Sequence, residues 1–178
     1  MTAYAPPPDR ARPRTLRLRL RALGYQVFYR LPQPVRNRIV RWGTRTYVVG
    51  AVVLVWDADT DRRRLLLLRQ PPGRGWGLPA GLLSNREEPA VGAARELAEE
   101  TGIVLDPQEL TEATPNALVH ARGWIDLVFE ANVPASKVTL TVDGAEVWEA
   151  AWHEVTALPP MTTAAARLLA RYDIGASG

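Results

Sequence analysis

The chain has 178 residues, 47% of them hydrophobic and 23% charged, which is the size and balance of one folded domain with a single sizeable core. It has no cysteine and only two histidines, His120 and His153, which excludes disulfide frameworks, thiolate catalysis, cysteine-held zinc or iron–sulfur clusters and any site with three histidine ligands. The net charge of +3 conceals an asymmetry: residues 1–45 carry eleven arginines against one acid, Asp9, a net +10, so the rest of the chain carries −7.

Residues 1–14 contain Pro6, Pro7, Pro8 and Pro13 with almost nothing to bury and read as a disordered lead; the apolar stretch and cleavage site of a signal peptide are missing, and a cytoplasmic location is expected. From Thr15 to Leu23 arginine and leucine alternate with a period of two, yet both are good helix formers, so a short helix is expected there. A second helix is expected over about residues 35–42, with Pro34 near its start, where a missing N–H costs least. Residues 1–40 thus form a basic, Pro/Arg-rich extension and residues 41–178 the folded domain. Such an arm suits phosphates such as those of RNA, an anionic membrane surface or the acidic body itself, and a solvated arm explains the charge equally well.

Tyr47 to Trp56 is a nearly unbroken β-branched run, the pattern of a strand buried on both faces and far too short to span a membrane. Asp57 to Arg63 reads as a turn, with Arg62, Arg63 and Arg64 solvated, and Leu65 to Leu68 as a second buried strand. A Gly/Pro-rich loop, Pro71 to Gly77, leads to a helix over Pro89 to Thr101 that Gly102 stops. Strands follow near 110–118, 123–131 and 146–153, then a helix over about 162–172. The fold class is therefore α/β or α+β, a mixed sheet between helices.

The chemistry concentrates in residues 81–103, GLLSNREEPAVGAARELAEETGI. On a helix Glu96, Glu99 and Glu100 are three and four residues apart, so their carboxylates can gather along one edge, where like charges repel. Hard divalent cations, Mg²⁺ or Mn²⁺, are the natural compensation, held by a few carboxylates together with substrate phosphates and water. Arg95 should point off that cluster and pair bidentately with Glu87. By itself E-x-x-E-E is commonly a solvated acidic face. The flanking Gly81, Glu87, Arg95 and Gly102, all in register, argue for the metal reading.

This register, G-x5-E-x7-R-E-U-x-E-E-x-G-U with U aliphatic, resembles the Nudix box at every specified position, and Trp76, Gly77, Leu78 and Pro79 resemble its W-x-L-P lead-in. The resemblance implies an α/β/α sandwich that uses Mg²⁺ or Mn²⁺ to hydrolyse a diphosphate joined to another moiety, commonly a nucleoside diphosphate derivative such as a nucleotide sugar or a nucleoside triphosphate. It implies Glu96, Glu99 and Glu100 as metal ligands, the Gly81 carbonyl as a possible further ligand, and Arg95 with Glu87 as an orienting pair. A late loop often supplies another base or ligand. Glu146 is preferred to Asp143, because E-V-x-x-A-x-W around it resembles a common segment of the fold. Homodimers are frequent in the family. Ala80 and Arg86 stand where glycine is frequent, which bears on loop geometry and substrate fit rather than on metal ligands.

Around the box, Arg69, Arg74 and Trp76 are candidates for binding the substrate's anionic and flat groups. Tyr47, Trp124, Phe129, Trp148 and Trp152 read as core rather than a stacking surface, and His120 with Arg122 could touch a phosphate. Rival substrates are the 5′ end of RNA and a lipid or prenyl diphosphate. The rival outside the enzymes is a non-catalytic nucleotide-binding module, disfavoured because every box carboxylate is present.

Overall fold

The computed structural model describes residues 15–43, 46–120 and 123–175. The lead over residues 1–14 and Arg122 lie outside the described residues. The chain divides between Thr46 and Tyr47 into two compact units.

Among the described residues the first unit holds two helices. α1, Leu16–Arg30, starts where the Thr15 hydroxyl accepts from the Leu18 N–H, and it runs past the expected end at Leu23. Among the described residues of this unit the leucine–arginine alternation has no strand to pair with, and helix propensity decides. α2, Gln33–Gly43, carries Pro34 in its first turn, as expected.

The second unit is built on β1, Val48–Asp57, which pairs in parallel along its whole length with β6, Trp124–Val133. On its other side lie β2, Arg64–Arg69, and the short β4, Ala80–Leu82, both antiparallel to it. β3, Trp76–Gly77, and β7, Glu149–Glu154, pair with β2, and β5, Thr111–His120, closes the far edge against β6. β3 falls at the end of the expected Pro71 to Gly77 loop, β4 in a stretch with no expected element, and β7 starts at Glu149 rather than residue 146.

The unbroken apolar run in β1 follows from its being covered on both sides. Ala51, Val53 and Val55 face one cluster with Phe129 and Leu97 of α3, Pro89–Thr101; Val52, Leu54 and Trp56 face another with Val128 and Leu168 and Leu169 of α4, Thr163–Leu169. The result is a sheet between helices, and each fully buried side chain contributes about 1.5–3 kcal/mol. Phe129 is core and Trp152 is half-buried against the α3 side, but Tyr47, Trp124 and Trp148 are exposed, a correction to their reading as core. Arg62 and Arg63 are exposed in the turn as expected, but Arg64 opens β2 and is half-buried, a correction to its reading as solvated. Arg64 pairs with the fully buried Asp57, and Arg62 pairs with Glu130 and lies over the Trp56 ring at 4.6 Å. Burial pushes the Asp57 carboxyl up, but the N–H groups of Ala135 and Asp59, with Arg64, more than offset it and hold the group below its ordinary value.

Candidate active site

α3 is where sequence and geometry meet. Pro89 sits in its first turn and Gly102 ends it with φ 77°, a left-handed conformation that glycine adopts without strain. Gly92, Ala93, Ala94 and Leu97 are buried, which fixes the rotation of the helix and turns Arg95 and Glu96 toward β4, with the exposed Glu99 beside Arg95.

Arg95 organises this edge. Its Nε and Nη2 donate to the two oxygens of Glu87 at 2.9 and 3.1 Å, the bidentate pair expected from the spacing. Its Nη1 also donates to Glu96 at 2.8 Å and to Glu99 at 3.1 Å, and Nη2 reaches the Leu82 carbonyl at 3.2 Å. Arg95 therefore does not point off the acidic cluster as expected; it partly neutralises it. The hydrogen bonds from Arg95, joined by one from the Ser84 N–H, hold the Glu87 carboxyl down at about 2.

Two glycines let these groups close up. A β-carbon on Gly81, in β4, would overlap the Glu96 carboxyl, and one on Gly92 would collide with Leu83 and lie 3.0 Å from Glu87 Oε2. With a larger residue at either place, the Glu96 carboxyl or the Leu83 side chain would have to move away.

Glu100 behaves differently from its neighbours. It is 8% exposed, and it accepts from the Ala80 N–H at 2.9 Å and from Gln70 Nε2 at 2.7 Å. Burial pushes its carboxyl up to about 7, and the charges of Glu96 and Glu146 add to the rise, against the two hydrogen bonds. Gln70 was not a sequence candidate, since a residue thirty positions before Glu100 leaves no local pattern.

Glu146 belongs to this environment through its charge on Glu100, while Asp143 is spent on its own loop. Asp143 Oδ1 accepts from the N–H groups of Ala145, Glu146 and Val147, each at 3.0 Å, and this turn, anchored by the buried Val147, explains why β7 begins only at Glu149.

Other candidates are placed elsewhere. Arg69 lies 3.7 Å from Glu149 across β2 and β7, Arg74 is exposed, and Trp76 packs edge-on against His153 with ring centres 4.4 Å apart. None of the three hydrogen-bonds or pairs with Glu96, Glu99 or Glu100 among the described residues. His120 Nε2 lies 2.8 Å from Asp126 Oδ2, and Asp126 shares a shallow pocket with Gly81, Ala80 and Trp124.

The three α3 carboxylates do not converge as expected: among the described residues no three acids or histidines form a group able to hold a metal ion. Arg95 holds Glu96 against β4 and the exposed Glu99 beside it, while Glu100 turns to Ala80 and Gln70. The chemistry of the donor set nevertheless fits a hard divalent cation. It is all oxygen, and the carboxylate form of Glu100, disfavoured by burial and by the nearby charges of Glu96 and Glu146, is one that a bound cation would favour.

The fold is thus a mixed sheet between helices, with the glycine of β4 packed against the Arg/Glu-rich edge of α3. The family description of the NUDIX domain matches residues 46–172, and the chain belongs to the Nudix family. It is 44% identical over 66 residues to a MutT-like protein of Streptomyces ambofaciens, covering 37% of this chain and 41% of that one. It is 26% identical over 141 residues to Nudix hydrolase 7 of Arabidopsis thaliana, covering 71% and 49%. The matches thus span less than half the length of these relatives. Among solved structures, a MutT Nudix hydrolase from Burkholderia pseudomallei superposes with a TM-score of 0.58 at 25% identity, covering 70% of this chain and 97% of that one. The NUDIX domain of Shewanella oneidensis NrtR, complexed with ADP ribose, superposes at 0.55 with 18% identity, over 74% and 89%, a likeness of fold.

Proposed function

We propose that the chain is a divalent-metal-dependent pyrophosphohydrolase that cleaves the diphosphate linkage of a nucleoside diphosphate derivative. The observation that carries this reading is Glu100, a buried carboxylate oriented by Ala80 and Gln70 with its carboxyl raised to about 7. Glu96, Glu99 and Glu100, with the Gly81 carbonyl, would hold the ion. Mg²⁺ or Mn²⁺ supplies charge against the phosphoryl oxygens and acidifies water.

This chain's residues do the rest. Arg95, fixed by Glu87, holds Glu96 and Glu99 along one edge of α3, where their oxygens would be available to the ion. Gln70 and the Ala80 N–H keep Glu100 aimed. Glu146, on a loop tied by Asp143, takes the proton of the attacking water. Water oxygen bonds to phosphorus, the bridging P–O bond breaks, and two phosphate-bearing products leave.

The test is product release from nucleotide sugars, nucleoside triphosphates, dinucleoside polyphosphates, capped RNA and prenyl diphosphates with Mg²⁺ or Mn²⁺, beside Glu100→Gln. Metal-dependent cleavage lost in Glu100→Gln, on a nucleotide member of the panel, supports the reading. Metal-dependent binding of a panel member without cleavage replaces it with a non-catalytic binding module.

A further inference from the structure

α2 presents a two-sided surface. Val35, Ile39 and Trp42 recur at helical spacing, are 42%, 48% and 90% exposed, and line one groove together with Arg38. Around the helix from them stand Gln33, Arg36 and Asn37 in the sequence register. α1 has no buried residue at all, and Leu16, Leu20, Leu23 and Val27, one stripe at helical spacing, are each more than half exposed. Residues 15–43 contain seven arginines and no aspartate or glutamate.

From this pattern we propose that α2 is an interfacial helix that lays Val35, Ile39 and Trp42 into the headgroup region of an anionic lipid bilayer, with the arginines of α1 and α2 on its phosphates. Apolar residues on one face, arginines beside them and a tryptophan at the end are the features that hold a helix in the plane of a membrane surface. Among the described residues no helix is long and apolar enough to cross a membrane, so the contact lies on the surface. A nucleic acid would use the arginines but leave the apolar face in water, and the bilayer uses both. This inference is independent of the hydrolase reading, since none of these residues belongs to the candidate active site.

The test is co-sedimentation of the full chain with phosphatidylcholine vesicles containing roughly one phosphatidylglycerol in four, against pure phosphatidylcholine, at about 50 and about 500 mM salt. Partition should be at least about tenfold stronger on the anionic vesicles and weaken with salt. Replacing Val35, Ile39 and Trp42 together by alanine, which strengthens helix propensity and so leaves α2 formed, should cut it at least about tenfold; so should Arg36→Gln with Arg38→Gln. Binding that survives the triple alanine change would show that charge alone acts, and overturn the proposal. So would absence of vesicle binding, or a single-stranded oligoribonucleotide that binds the wild type and the triple variant alike while vesicles do not. Far-ultraviolet circular dichroism of the triple variant confirms that its helices persist.

Discussion

Arg95 grips both oxygens of Glu87, from Nε at 2.9 Å and Nη2 at 3.1 Å, while the same guanidinium reaches Glu96 and Glu99. One cation thereby ties the turn before α3 to two of the three carboxylates on the helix. A planar, five-donor group can do this, and a point charge cannot.

Arg95→Lys should therefore lose the fork though it keeps the charge. We expect turnover to fall roughly 10–100-fold, as for other residues that orient metal ligands, with Glu87→Gln giving a similar loss. Steady-state kinetics on the substrate identified by the panel decide it. Full activity in Arg95→Lys would mean that the charge alone matters.

Gly81→Ala adds a methyl where the Glu96 carboxyl lies. The flexible end of the Glu96 side chain must swing away, at a cost of about 0.5–1.5 kcal/mol if it leaves its rotamer, and Glu96 loses its place against β4. Denaturant unfolding should show the destabilisation and the activity assay a loss that added Mn²⁺ does not fully restore. A variant as stable and active as the wild type would show that Glu96 does not pack there.

Metal-free stability should depend on pH through Glu100. Its carboxyl sits at about 7 in the fold against 4.5 ordinarily, so between these values the folded chain holds a proton that the unfolded chain has lost. Its contribution is thus most favourable below about 4.5 and falls as pH rises to about 7, by at most on the order of 3 kcal/mol. Urea titrations of wild type and Glu100→Gln at about pH 5 and pH 8 isolate the effect, because the variant has no such proton to lose. An equal slope in both would contradict it.

Asp143 and Glu146 should separate loop order from chemistry. Asp143→Ala frees three N–H groups and should lower the melting temperature of the loop-bearing unit. Glu146→Gln should leave stability unchanged or slightly raised, by removing charge that acts on Glu100, while turnover drops about 100-fold. Thermal melts beside kinetics read the two apart, and a fully active Glu146→Gln would remove it as the base.

What the sequence shows of this fold is what periodicity and fixed spacing encode. β1 is legible because an unbroken apolar run needs cover on both faces, and α3 because Pro89, Gly102 and the buried Ala94 and Leu97 bound it and set its rotation. β3 and β4, two and three residues long, are too short for any period to show. The hydrogen bond from Gln70 to Glu100 joins residues far apart in the chain, and the reach of Arg95 to three carboxylates depends on rotamers that spacing does not specify. The turn that Asp143 builds delayed β7 by consuming residues 146–148, which read as strand by composition.

The most direct measurement is a calorimetric Mn²⁺ titration of the metal-free wild type and Glu100→Gln near pH 7 in two buffers of different ionisation enthalpy. The account predicts binding by the wild type with proton release, because a carboxyl raised to about 7 must ionise to take the ion, and weakened binding without that proton in Glu100→Gln. Equal binding by both proteins, with no proton difference, would contradict a metal centre on α3.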